Sequence, residues 1–235
     1  MVLAVVGGGN TIMNSAHAPG RESQSSRVTG TPIVFVVDDD VSVRESLELL
    51  IRFAGWQPET FASPQAFLSR RPEEIPSCLI LDVELPGLNG LDLQERIAAS
   101  RCELPIIFLT GHGDIPRTVR AMKAGAVEFL TKPFADDVLL QAIERAIERS
   151  RATLAAAVDL KRLRERYASL TRREREVMTW VVAGLLNKQV GAELGTSEIT
   201  IKAHRGKVMQ KMQAGSLAGL VRMAARLSLT PVTKS

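Results

Sequence analysis

From residue 33 onward the chain alternates short aliphatic runs with longer stretches whose apolar residues recur every third or fourth position. The runs fall at 33–37, 59–62, 78–81, 106–109 and 127–130. Between them the helical stretch at 41–54 is clearest, with Val43, Leu47, Leu50 and Ile51 on one face. Strand and helix alternating five times within about 115 residues predicts an α/β fold, a doubly wound five-stranded parallel sheet of flavodoxin-like type. Such a sheet carries its site at the carboxyl ends of its strands.

After Pro133 no glycine or proline occurs until Gly184, and apolar residues continue at helical spacing through Ile143, Ile147, Leu154, Leu163 and Tyr167. A single helix over 136–168 would be ~50 Å long at 1.5 Å per residue, enough to project beyond a small α/β domain as a rigid connector. Thr171-Arg172-Arg173-Glu174 reads as a capping box that starts a new helix running towards Gly184. Further helices are expected at 187–194, 198–212 and 216–227, the third capped by Ser197 with Glu198 in its first turn. This is an all-α, four-helix module containing a helix, a tight turn and a second helix.

Residues 1–30 carry no sustained apolar period and read as a disordered leader, with Met13 an alternative start. Gly7-Gly8-Gly9 lacks the third spaced glycine and the following helix of a dinucleotide loop. Charge sharpens the division. Residues 31–150 hold 12 basic and 19 acidic side chains, net −7, whereas 151–235 hold 16 and 6, net +10. A basic helical module behind an acidic α/β domain suggests a module that meets nucleic acid or an anionic membrane. No apolar run approaches the ~18 residues of a membrane span, so no membrane partner is expected. Cys78 and Cys102 lack the spacing of a zinc or redox motif, so reduced thiols and a cytoplasmic location are expected.

Asp38, Asp39 and Asp40 follow the first strand, Asp82 ends the third, Thr110 the fourth, and Lys132 follows the fifth just before Pro133. Each has a bland reading alone, as a helix cap or a surface loop. Such features at four strand ends converge on one sheet edge, and there the functional reading wins. Crowded carboxylates need a cation, and Mg²⁺ fits because it takes one or two carboxylates with water and phosphate oxygens. A lysine and a hydroxyl beside them complete a phosphoryl-binding set.

These residues resemble the receiver domains of two-component response regulators. The matching stretches are Val36-Val37-Asp38-Asp39-Asp40, Leu81-Asp82-Val83-Glu84-Leu85-Pro86-Gly87 with Asn89-Gly90, and Thr110-Gly111-His112-Gly113-Asp114. The run from Ala121 through Gly125 and Phe129 to Lys132-Pro133-Phe134 is similar to the FixJ branch. The resemblance implies that Asp82 accepts a phosphoryl group from a sensor histidine kinase. It also implies Mg²⁺ held by Asp38, Asp39, Asp82 and the main-chain carbonyl of Glu84. Lys132 and Thr110 would sense the phosphoryl group, Phe129 would repack in response, and the Lys132-Pro133 bond would be cis. Glu84 is an unusual acid at a position facing the phosphoryl group.

The basic segment in turn resembles the LuxR-type (NarL/FixJ) DNA-binding domain. The match runs through Leu170-Thr171-Arg172-Arg173-Glu174, Gly184, Asn187-Lys188-Gln189-Val190, Leu194-Gly195-Thr196-Ser197 and Thr200-Ile201-Lys202-Ala203-His204-Arg205. It implies that Lys202 and Ala203 face bases, with Lys202 suited to guanine and Ala203 to a thymine methyl. Lys188, Thr200, Arg205 and Lys207 would reach bases or phosphates, and Ser197 and Lys211 complete the candidate set. Gly206 and Gly191 depart from the family, and Gly191 is expected to cost ~1 kcal/mol of helix propensity. The last helix would dimerise the protein on DNA.

The expected organisation is therefore a leader at 1–30, a receiver at 31–148, a helical linker at 149–168 and a DNA-binding domain at 169–235. The function implied is a transcriptional response regulator that dimerises when phosphorylated, binds double-stranded promoter DNA and can meet RNA polymerase. It would be a phosphoacceptor with at most slow self-dephosphorylation rather than an enzyme. The alternative at this point is a phosphatase of related α/β fold with Asp82 as nucleophile, which has no need of the basic module.

Overall fold

The structure is a computed structural model that describes residues 30–71, 74–99, 103–111 and 115–229. The leader, Cys102, residues 112–114 and the last six residues of the expected DNA-binding domain lie outside them, Gly30 excepted. The first domain contains β1 (Ile33–Val37), α1 (Val41–Phe53), β2 (Gln57–Phe61), α2 (Pro64–Leu68), β3 (Ser77–Asp82), α3 (Gly90–Ala99), β4 (Ile106–Thr110), α4 (Ile115–Lys123) and β5 (Glu128–Thr131). The strands form one parallel sheet in the order β2-β1-β3-β4-β5.

Side-chain alternation along the central strands builds two cores. Phe35, Val37, Leu79, Leu81 and Phe108 face one layer with Leu93 and Ile97 of α3, while Val34, Val36, Ile80, Ile107 and Leu109 face Leu47 and Ile51 of α1. Strands buried on both faces read as continuous aliphatic runs, which is why β1 and β4 are plain in the sequence. Two strands depart from expectation. β2 begins two residues earlier than 59–62, because its pairing to β1 continues through Gln57 and Pro58 at the sheet edge. β5 sits one residue later than 127–130, fixed by pairing of Thr110 with Thr131.

α5 (Asp136–Ala168) is a single 33-residue helix. Its first half buries Leu139, Ile143 and Ile147 against the sheet, and Ser150 Oγ accepts the Ser77 N–H at 3.0 Å where β3 begins. Its far end contributes Leu163 to a third core. That core joins Leu170 to Val177, Met178 and Val181 of α6 (Arg172–Val182), Val190 of α7 (Asn187–Glu193), Ile201, Val208 and Met212 of α8 (Glu198–Met212), and Leu220 and Ala224 of α9 (Leu217–Arg226). Among the described residues no helix is long and apolar enough to cross a membrane.

Candidate functional site

Strand order decides the first site. β1 and β3 are neighbours with Val37 opposite Leu81, Asp82 lies opposite Leu109, and Thr110 lies opposite Thr131. Asp38, Asp82, Thr110 and Lys132 are therefore brought to one sheet edge from positions spanning nearly a hundred residues. Lys132 Nζ donates to Asp38 Oδ2 at 2.8 Å and to Asp82 Oδ2 at 2.7 Å. The Lys132-Pro133 peptide is cis, and the Lys132 N–H donates to the Thr110 carbonyl at 2.7 Å.

Each acidic side chain has its own environment. Asp38 and Asp82 are buried, Thr110 is 1% exposed, and Asp39 is exposed at the mouth. Asp40 caps α1, its Oδ1 accepting from the Ser42 N–H at 2.8 Å and hydroxyl at 2.6 Å. The Glu84 N–H donates to Asp82 Oδ1 at 2.8 Å, while the Glu84 carboxylate faces solvent. Gly90, at the start of α3, passes so close that a Cβ there would run into the Asp82 carbonyl. Arg44, which sequence reasoning missed, donates from Nη1 to the Asp38 carbonyl at 2.7 Å and ties α1 to the loop carrying the acids. The only sequence signal for it is a basic residue one turn into the helix that leaves the site.

Burial raises the Asp82 pKa above the usual carboxylate value and the Asp38 charge adds to this, against the opposing pull of Lys132 and the Glu84 amide. For Lys132 burial works against the charge, yet its hydrogen bonds to Asp38 and Asp82 win and hold its pKa above the ordinary lysine value. The two shifts have different origins: burial dominates at Asp82, whereas at Lys132 the two carboxylates outweigh burial. Phe129 is half-buried beside Phe108, ring centroids 6.0 Å apart.

The four expected magnesium ligands do not form a cage of side chains. Among the described residues no three His, Cys, Asp or Glu side chains gather closely enough to hold a metal. Asp39 is exposed, the Lys132 ammonium bridges Asp38 and Asp82, and the fourth expected donor is the main-chain carbonyl of Glu84 rather than its carboxylate. The donor set still fits Mg²⁺, which needs only one or two carboxylates beside water and phosphate oxygens.

The second site is on the basic module. α7, the turn 194–197 and α8 form the helix-turn-helix. A Cβ on Gly191 would lie 2.7 Å from the Thr196 carbonyl, and the Thr196 N–H donates to the Gly191 carbonyl at 2.9 Å. Gly191 thus serves a close approach of turn to helix, so the expected cost to helix propensity is offset by contact. Ser197 Oγ caps α8 through the Thr200 N–H at 3.2 Å and meets Thr200 Oγ1 at 2.9 Å.

Of the expected DNA-facing residues, Lys188, Ser197, Thr200, Lys202, Ala203 and Lys207 are exposed. Arg205 is half-buried and donates from Nη1 to Asn187 Oδ1 at 3.1 Å, fastening α8 to α7. Lys211 is placed elsewhere. Its Nζ donates to Glu174 Oε2 at 2.7 Å and to the Ser169 carbonyl at 3.2 Å, because it lies on the inner flank of α8 beside Met212. Grouping it with the outward lysines on charge alone ignored that facing. Glu174, 3% exposed, serves the expected capping box, and its pKa is held low by Lys211 first and by the Thr171 N–H. Sequence reasoning also passed over Ile199, which is 82% exposed in the first turn of α8.

Comparison with known families and structures covers both sites. Residues 34–144 match the response regulator receiver domain, and residues 168–224 match the bacterial regulatory proteins of the luxR family. Nodulation protein W of Bradyrhizobium diazoefficiens is 51% identical over 198 residues, covering 84% of this chain and 87% of that protein. The transcriptional regulatory protein FixJ of the same organism is 43% identical over 196 residues, 83% of this chain and 96% of FixJ. Among solved structures, the response regulator StyR is 47% identical with a TM-score of 0.74 and covers 84% of this chain and 100% of its own. Full-length FixJ from B. japonicum is 42% identical at 0.52, covering 86% and 100%.

Proposed function

Because the chain belongs to the two-component response regulators of FixJ type, which join a receiver domain to a LuxR-type DNA-binding domain, we propose that phosphorylation of Asp82 is the switch of this transcriptional regulator. The observation that carries the proposal is the Lys132 ammonium, 2.7 Å from Asp82 and 2.8 Å from Asp38 at the carboxyl edge of the sheet. It supports Asp82 as the carboxylate that gains a phosphoryl group beside a cation and a buried hydroxyl.

An Asp82 carboxylate oxygen attacks the phosphorus of a phosphohistidine on a sensor histidine kinase. A P–O bond forms as the P–N bond breaks, and its electron pair returns to the histidine nitrogen. Asp38, Asp39, Asp82 and the Glu84 carbonyl would hold Mg²⁺, which when bound neutralises charge on the transferring group. Lys132 keeps its ammonium at the Asp82 carboxylate and can follow a phosphoryl oxygen, and the Thr110 hydroxyl can turn to donate to another. Two or three charge-assisted hydrogen bonds of ~1.5–3 kcal/mol each match the ~5.5 kcal/mol needed to reverse a 1:99 bias. Phe129, on the strand shared with Lys132, would carry the change to the face formed by α4 and β5.

The exposed apolar side chains of α1, Val41, Leu49 and Phe53, lie on the helix that starts at Asp40 and offer a kinase a surface next to its target. Downstream, phosphorylated chains pair as a homodimer and set two basic modules on promoter DNA, with Lys188, Thr200, Lys202, Ala203 and Lys207 facing the duplex from the cytoplasm and RNA polymerase within reach. Self-dephosphorylation is at most slow, so the chain is a phosphoacceptor rather than an enzyme. The test is labelling by a small phosphodonor with Mg²⁺. Wild-type protein should form an adduct that base or hydroxylamine releases, as expected of an acyl phosphate, and Asp82→Asn should form none. Undiminished acyl phosphate in the variant would refute the assignment.

A further inference from the structure

The outer face of α8 carries no charge along its centre. At about 100° per residue, Ile199, Ala203, Gly206 and Gln210 fall on the side directly opposite the core residues Ile201, Val208 and Met212. All four are exposed, and none is charged. Lys202 and Lys207 flank this stripe on either side. A helix facing only water carries charge down its outer centre. Here the charges sit on the shoulders, and the centre presents an 82% exposed isoleucine, a methyl and a bare backbone with nothing near the glycine.

We propose that Ile199 is a specificity-determining residue of this regulator, its side chain packing with the Ala203 methyl against thymine 5-methyl groups in the major groove. The inference rests on the DNA-binding reading given above and deepens it. The chemistry is restrictive, since the thymine methyl is the one apolar feature on the major-groove edge and is met by apolar side chains. On the shoulders of the stripe, Lys207 suits a phosphate backbone bordering the groove and Lys202 a guanine edge beside it. Ile199 also lies one turn before Ala203, so the two side chains form one continuous apolar strip along the helix.

The experiment uses the full-length chain, treated with a small phosphodonor, and duplexes selected from random sequence. In the preferred site each thymine is replaced singly by deoxyuridine, which removes only the methyl group. Affinity is then measured at fixed salt for wild type and for Ile199→Ala, a change that keeps the helix because alanine is the stronger helix former. At least one replacement should weaken wild-type binding about fourfold, the worth of one buried methyl-sized group. The same replacement should cost Ile199→Ala little. Equal loss in both proteins, or no loss at any position, overturns the role of Ile199 while leaving DNA binding in place. Failure to enrich any sequence, with uniform binding to all duplexes, instead refutes sequence reading by α8 altogether.

Discussion

As the proposed phosphoacceptor, Asp82 would have two tasks that conflict in the folded chain: it must be buried to be shielded from water, and ionised to be a nucleophile. Burial and the neighbouring Asp38 hold its pKa above the usual carboxylate value despite Lys132. The folded state therefore binds the Asp82 proton more tightly than the unfolded state, whose value is about 3.9. Stability falls as pH rises through the interval between these two values and stays reduced above it. Asp82→Asn removes that cost and leaves Lys132 its bond to Asp38. Thermal unfolding should place the variant above wild type at pH 7, with the gap closing as the pH falls below about 4. A variant less stable than wild type at neutral pH would show that the Lys132 bond outweighs burial. The acids, Thr110 and Lys132 were legible in the sequence because strand ends in a parallel sheet share an edge. Arg44 was not, since its role depends on which way the first turn of α1 points.

Helices α7 and α8 show where propensity and contact diverge. Gly191 and Gly206 both interrupt good helical sequence, and on propensity alone each replacement by alanine should gain about 1 kcal/mol. Only Gly206 has open space for a Cβ, whereas Gly191 is pressed against the Thr196 carbonyl. Chemical denaturation should show Gly206→Ala gaining about that 1 kcal/mol and Gly191→Ala gaining nothing or losing. The bounds of α5 and α8 were readable, those of α5 from the long run without glycine or proline and those of α8 from its Ser197 cap. β2 was harder, as an edge strand that is half-buried and contains Pro58 gives a weak alternation. The Lys211 contact was hidden for another reason: charge identifies a basic residue but not its partner, and Glu174 lies 37 positions away. That contact joins three elements, since Glu174 caps α6, pairs with α8 and sits beside the carbonyl end of α5. Glu174→Ala should cost about 2 kcal/mol, combining a lost cap with a broken, partly exposed pair. The loss should diminish as pH falls through the depressed Glu174 pKa, because the carboxylate stabilises only while ionised. An unchanged denaturation midpoint would mean the three-way joint contributes nothing.

At the scale of the molecule α5 joins a core of the first domain to the core of the basic module, through Leu139 to Ile147 at one end and Leu163 at the other. Lys211 adds a link from the carbonyl end of this rod to α8. A continuous helix transmits orientation, whereas a flexible tether transmits only proximity. If two phosphorylated receivers pair, rods of fixed length and direction preset both the spacing and the relative rotation of their two DNA-facing helices. Dimer affinity should then depend steeply on the distance between half-sites. Inserting 5 bp turns one half-site to the opposite face of the duplex, so simultaneous engagement fails and about 10²-fold or more of avidity is lost. Ala156→Pro tests whether the rod is responsible. Ala156 is exposed and lies between the two cores, and proline there removes a helical hydrogen bond and breaks the helix at a local cost of about 3 kcal/mol. Both cores and Asp82 labelling should survive. Binding at the native spacing should weaken, and the penalty for the 5 bp insertion should shrink. Should the proline variant keep the steep spacing dependence of wild type, the register of the two modules is set by contacts within the DNA-binding pair, and α5 is only a spacer.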